Sequence, residues 1–505
     1  MGRHLLGTLA LAAGIVILGA CLAPAAHAAE HSGEPATVAT SALAGGETAS
    51  HGGADDPHQR ADAFGRELGG LWTLPFVCML LSIAIFPLVF PEFWHHHFGK
   101  VAAFWCLAFL VPFTIKYGIS LSAYVVLHTV LLEYIPFLIL IFALFTIAGG
   151  VCLTGSLVGR PLVNAVLLAI GTALASWMGT TGAAMLMIRP LLRANAHRKY
   201  KAHTVVFFIF LVANIGGALT PLGDPPLFLG FLKGVSFFWT TQHLLAPMSF
   251  MAVLLLALYL GLDSVLFARE GMPVPPDTGG DTLRLEGGLN LVLLAGVVGS
   301  VLMSGIWEPG KGFSVYHVRV ELQDLARDVL LLALAFVSIK ITRPETRKKN
   351  EFDWFPIIEV GKLFAGIFVS MIPAIAILRA GEHGALAGVI ALVTTHGEPV
   401  NEMYFWLAGG LSSFLDNAPT YLVFFNTAGG DAQFLMRHVH TLVAISAGAV
   451  FMGANTYIGN APNFMVRSIA ESSGVKMPSF FSYMAWSIGI LVPSFILVTV
   501  LFIKG

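Results

Sequence analysis

Asp224 and Asp416 are the residues whose setting calls for chemistry. Each lies inside an otherwise apolar stretch of the 505-residue chain, and an ionisable group at the centre of a bilayer costs at least about 2.5 kcal/mol. Oxygen- and amide-bearing side chains recur near them in sequence: Thr180 and Thr181; Asn214 and Thr220; Ser412, Ser413, Asn417 and Thr420; Asn455, Thr456, Asn460 and Asn463. Hard cations such as sodium prefer oxygen donors of this kind. Burial penalises a bare carboxylate, and either a proton or a bound cation removes the penalty, so one Asp can hold the two alternately. Glu133 and Glu359 fall near the ends of apolar runs and suit interfacial roles. Arg189 could hold an anionic solute or anchor a loop at the membrane surface.

The elements that must position these residues are membrane helices. Hydrophobic residues make up 56% of the chain and charged residues only 11%, with net charge −1 and mean hydropathy +0.79. A water-facing surface cannot be built from so few charges, and there is no basic excess for a nucleic acid. Cys21, Cys78, Cys106 and Cys152 sit singly in apolar runs, which suits small buried hydrophobes. His95, His96 and His97 would point three ways from a helix, so neither they nor any other motif supports a resident metal, cofactor or enzyme site.

Arg3, the apolar run from Leu5 to Leu22, and Ala26-His27-Ala28 read as a signal peptide over residues 1–28, with lipidation at Cys21 as the alternative. Residues 29–68 read as a flexible extracytoplasmic tail. Ten crossings follow: Leu71–Phe90, Val101–Ile115, Pro136–Ala148, Thr204–Leu232, His243–Phe267, Leu289–Ile306, Asp328–Ile341, Phe355–Leu378, Thr441–Phe464 and Phe481–Ile503. Leu162–Leu192 and Tyr404–Phe425 contain Gly, Pro and polar residues midway, which predicts re-entrant hairpins. With the N-terminus outside, the basic loops Arg193–His203 and Lys340–Trp354 fall in the cytoplasm, as the positive-inside rule expects. A multi-pass protein of a bacterial-type inner membrane is the expectation.

The chain also repeats itself. Residues 217–228, GALTPLGDPPLF, align without a gap on residues 453–464, GANTYIGNAPNF. Six of the twelve positions are identical, where about one is expected by chance. The alignment sets Asp224 opposite Asn460, and at nearly the same offset Ser176-Trp177-Met178 faces Ser413-Phe414-Leu415. This predicts repeats over 69–268 and 287–505, joined by a cytoplasmic linker at 269–286. Five crossings per repeat, an odd number, would turn the second upside down. That is the inverted plan of many secondary transporters, with a hairpin and a broken helix from each half around a solute site.

At these residues the chain resembles the ion transporter superfamily, over about residues 69–505. Ala213-Asn214-Ile215-Gly216-Gly217 followed by Pro221-Leu222-Gly223-Asp224 is similar to the broken helix of NhaD-type sodium/proton antiporters and related citrate carriers, and Ser412-Ser413-Phe414-Leu415-Asp416-Asn417 to their second hairpin. Met178-Gly179-Thr180-Thr181 and Pro225-Pro226 depart from the NhaD pattern, while Gly223-Asp224-Pro225-Pro226 and Leu415–Thr420 also resemble arsenite-efflux permeases. The resemblance implies ion-binding roles for Asn214, Asp224, Ser412 or Ser413, and Asn417, and a homodimer. Cation/proton antiport is the leading expectation, because Asp416 would repel an unpaired carboxylate solute. Citrate, another carboxylate or an arsenite-type oxyanion is the alternative.

Overall fold

The computed structural model describes residues 64–155, 157–273 and 284–504. The signal peptide, Cys21 and nearly all of the tail lie outside the described residues. The described end of that tail is packed: Phe64 and Leu68 are buried, and the Phe64 ring meets Phe113 edge-on at 5.6 Å between centroids.

The protein is an all-α polytopic membrane protein. Two series of elements follow one another in the same order. The first comprises α1 (Gly70–Val89), α2 (Pro91–Tyr117), α3 (Ile119–Ala148), a hairpin of α4 (Pro161–Met178) and α5 (Thr180–Ala194), a broken helix of α6 (Ala202–Leu211) and α7 (Pro225–Leu232), and α8 (Trp239–Arg269). The second comprises α9 (Leu289–Ile306), α10 (Leu322–Ile341), α11 (Phe355–Arg379), a hairpin of α12 (Asn401–Ser412) and α13 (Asn417–Thr427), a broken helix of α14 (Val439–Met452) and α15 (Ala461–Ser472), and α16 (Phe480–Ile503). Among the described residues, strands occur only as three two-stranded antiparallel pairs. One of these joins Cys152–Thr154 to Arg284–Glu286.

Nine helices among the described residues are long and apolar enough to cross a membrane. They differ from the ten expected crossings at instructive places. The hairpin arm α4 has the length and hydropathy of a span, but the chain doubles back at Gly179, whose φ of +79° an L side chain rarely adopts. Helix α10 begins six residues before the expected Asp328 and carries Arg327, which pairs with Asp324 at 2.8 Å and with Asp328 at 2.9 Å. Helix α14 is short because the chain unwinds after Met452.

The broken helices form the centre. In the stretch Ala202–Leu219, 89% of the span is buried, against 22–50% for the other spans. The two hairpins brace this centre: α4 packs on α8, α12 along α14, and α13 against both α7 and α11. Every residue from Thr441 to Met452 is buried as well. Apolar groups that would gain nothing by leaving lipid are thus turned inward, and the polar residues of the breaks go with them.

Candidate binding site at the two breaks

Each helix breaks where Gly and Pro interrupt it, and each break is closed by its own hairpin. After α6 the chain makes a 3-10 turn, Ile215–Leu219, and then extends through Thr220. The Thr220 hydroxyl donates to the Ser176 carbonyl oxygen at the tip of the first hairpin, and the Ser176 hydroxyl donates to the Gly216 carbonyl at 2.5 Å. The Thr456 hydroxyl likewise donates to the Ser413 carbonyl at 2.5 Å. Leu222 N–H and Ile458 N–H then donate to Thr220 Oγ1 and Thr456 Oγ1, both at 3.2 Å. At Gly223 the chains pass so closely that a Cβ would lie 2.1 Å from Gly217 O, and at Gly459 the matching distance, to Gly453 O, is 2.6 Å. Glycine is required at both crossings.

Asp224 caps α7 and is 1% exposed. Because Pro225 and Pro226 follow, the first turn of α7 lacks the N–H groups nearest the carboxylate. Side chains serve it instead, from three other elements. Thr180 donates to Oδ1 at 3.1 Å, Asn460 donates to Oδ1 at 3.2 Å, and Asn417 donates to Oδ2. The breaks are also tied to each other: Asn214 donates to Asn463 Oδ1 at 2.7 Å, and Asn460 to Asn214 Oδ1 at 3.3 Å and Ala213 O at 3.1 Å. Asp416 caps α13, accepting from Ala418 N–H at 3.1 Å.

Of the residues expected to form the site, Asp224, Thr180, Asn417, Asn460, Asn214 and Asn463 make one connected network. Thr181 and Asp416 line the same cavity as Asp224. The others bond to backbone or to the tip. Ser412 donates to Ala449 O at 2.6 Å, Thr420 to Asp416 O at 3.0 Å, and Asn455 to Ser413 Oγ at 2.9 Å. Ser412 and Asn455 hold the second hairpin on α14 and its break, Thr420 bonds within the first turn of α13, and none of the three bonds Asp224. Asn417 Oδ1 and Asn455 Oδ1 are buried carbonyl oxygens without a hydrogen-bond partner among the described residues.

The cavity has a volume of about 120 Å³. Four helix starts border it, those of α5, α7, α13 and α15, with apolar walls including Phe137, Leu144, Phe228 and Met465. Among the described residues, no Lys, Arg or His lines it. Sequence reasoning missed these walls because they come from α3, α7 and α15, and an apolar residue in an apolar helix carries no mark of its neighbour.

The remaining candidates lie elsewhere. Arg189 is paired with Glu351 at 2.9 Å and is not among the cavity residues. Glu133, expected to reach an interface, is paired with Lys233 at the end of α7 and is only 12% exposed. His95 stacks on Phe355 at 4.7 Å. Cys152 is buried, while Cys78 and Cys106 are half-buried.

A buried charged cluster was not expected. Arg198 donates to Asp263 at 2.7 Å and to Glu270 at 3.0 Å, and Asp263 also receives His203 at 2.9 Å, Tyr259 at 3.0 Å and Asn164 at 3.2 Å. It fastens α4 and the loop before α6 to α8. No curated protein matches the chain. Residues 65–503 match the model of a putative citrate transport family. A multi-pass chain with paired hairpins closing paired helix breaks beside an apolar-walled cavity that holds two carboxylates, matched over nearly its full described length, belongs to that family of membrane transporters.

Proposed function

We propose that the protein is a cation/proton antiporter, working by alternating access in a bacterial-type inner membrane with its N-terminus outside, and that Asp224 holds a proton and a cation such as sodium in turn. The supporting observation is the Asp224 carboxylate itself. It is buried where the two halves meet, has three neutral donors and, among the described residues, no basic counter-charge, and shares its cavity with Asp416. A carboxylate so placed is stabilised by any cation that reaches it, and the Oδ1 of Asn417, whose amide N–H already donates to the carboxylate, is available to join a shell. Because only one of the two can occupy the carboxylate, arrival of the cation releases the proton.

Inside-out vesicles bearing a proton gradient and a pH-sensitive dye test this reading. Sodium or lithium should collapse the gradient, and Asp224→Asn should abolish the response with expression retained. Full exchange in Asp224→Asn rejects it. A second reading, a citrate carrier, is favoured by the family match and by the four helix starts, each worth roughly half a positive charge toward an anion. Silence toward every cation, with citrate uptake present, would establish it.

A further inference from the structure

The cavity at Asp224 lies to one side of the breaks, and helix α3 fixes which side. The end of α3 is held by the basic loop, through Arg347 donating to Thr146 O at 3.0 Å and Asn350 donating to Gly149 O at 3.2 Å. The cavity walls from α3 come from residues 137–145, the turns nearest that end, and those from α11 come from residues 356–364, the turns that directly follow the loop. Ala461, on the opposite wall, is exposed. The cavity therefore faces the side of the membrane that carries the basic loops.

Toward the other side stands α7, and three elements hold it. Its Phe228 ring, one turn beyond Asp224, lines the cavity and lies 5.9 Å from the Arg327 guanidinium of α10, which is not among the cavity residues. At Gly305, in the last turn of α9, a Cβ would lie 3.2 Å from the Phe231 ring. At the end of α7, Lys233 pairs with Glu133 of α3. Glu133 is fifteen residues from Ala148, about 22 Å at 1.5 Å per residue, so the pair sits far from the basic loops.

This ion pair is unlike that of Arg198 and Asp263. Those two are 0% exposed and bonded to further neighbours, so parting them would strand buried charges. Lys233 and Glu133 are 14% and 12% exposed, and among the described residues each has its ionic partner only in the other. Water reaches both, so they can part and rehydrate at modest cost. Glu133 also lies on a π-helical turn of α3, Val130–Tyr134, an irregularity that occurs frequently at functional sites. Tyr134 anchors that turn by donating to Gly361 O of α11 at 2.9 Å.

We infer that the Lys233–Glu133 pair is a latch that keeps the Asp224 cavity closed to the face opposite the basic loops, and that it parts when the cavity turns to that face. The inference rests on the alternating access proposed above, and it holds for a cation or for citrate.

Labelling with a membrane-impermeant maleimide, in right-side-out and inside-out vesicles, tests it. The parent is the full chain with Cys21, Cys78, Cys106 and Cys152 replaced by Ala and with Ala461→Cys on the cavity wall. Glu345→Cys in the basic loop, in a separate chain, identifies the face exposed in each preparation. The parent should label fast from the basic-loop face and slowly from the other. Glu133→Gln and Lys233→Gln should each speed labelling from the far face at least about fivefold, as loss of one partly exposed ion pair does. The swap Glu133→Lys/Lys233→Glu should restore the slow rate. Fast labelling from the basic-loop face checks that a variant folds, and either Gln variant alone decides. Far-face labelling that is measurable in the parent and unchanged in the Gln variants overturns the latch. So does a swap that labels as fast as the Gln variants, which would mark lost packing and not a lost ion pair. Labelling absent from the far face in every variant would reject alternating access itself, and the latch with it.

Discussion

The two breaks have nearly the same backbone and different charges. At the breaks, Thr220 and Thr456 have φ, ψ of −139°, 161° and −137°, 167°, and Asp224 and Asn460 have −142°, 142° and −152°, 139°. Each Thr bonds the same hairpin carbonyl. Yet one break carries a carboxylate and the other an amide, so Asn460 can donate to Asp224, which a second ionised Asp could not do. The hairpin tips diverge as well: Gly179 turns the first, whereas Asp416 caps the second. Farther out, Asn164 and Thr204 belong to the Arg198–Asp263 cluster, while their counterparts Asn401 and Thr441 share one neutral bond of 2.8 Å. The two breaks share one shape, and they differ in the side chains they carry at Asp224 and Asn460.

Removing that mismatch should have the largest effect. With Asp224→Asn both breaks carry amides, and cation-evoked proton release should fall by at least about a hundredfold in the vesicle assay while melting changes little. The amide oxygen can still accept from Thr180 and Asn460, and its N–H2, standing where Oδ2 was, can donate to Asn417 Oδ1 once that amide turns over. Next comes the charged cluster. Arg198→Met leaves Asp263 and Glu270 buried together, and breaking a buried pair from one side costs about 3–5 kcal/mol. Thermal melting in detergent should show a drop of several degrees. Smaller still, and present in both halves, are the glycine crossings. Gly223→Ala forces a Cβ to within 2.1 Å of Gly217 O, and Gly459→Ala to within 2.6 Å of Gly453 O. Overpacking costs about 1–3 kcal/mol, and Gly223→Ala should fall at the upper end. Equal melting of the two variants would mean that the second break is as tightly closed as the first.

The breaks and hairpins were legible because Gly, Pro and polar residues interrupt apolar runs twice at one spacing. Asp224 was legible because a carboxylate in such a run is costly. Asp263 carried the same mark, inside the run from His243 to Phe267, and went unread. Its partners Arg198 and His203 lie 65 and 60 residues away in a loop that looked like an ordinary basic anchor. The pairing of Glu133 with Lys233 spans 100 residues and left no local trace. Nor did sequence show which side chains would reach Asp224. Thr180, Asn417 and Asn460 were all candidates, but so were Ser412 and Thr420, and the difference is only the direction in which a helix turn presents each one.

The smallest effect is the most discriminating for the comparison at the periphery. Thr441→Val removes the hydroxyl that donates to Asn401 and leaves the side chain's shape, so it should cost about 1 kcal/mol. Thr204→Val, its counterpart, removes a hydroxyl bonded to Tyr259 at 3.1 Å, but Tyr259 keeps its bond to Asp263 at 3.0 Å. A network that retains its other members should lose no more than the single bond does. If Thr204→Val lowers the melting temperature well beyond Thr441→Val, the first cluster acts as a cooperative unit. Its charges would then stabilise one another through the hydroxyl, and the two halves would differ in the coupling of their polar groups as well as in their charge.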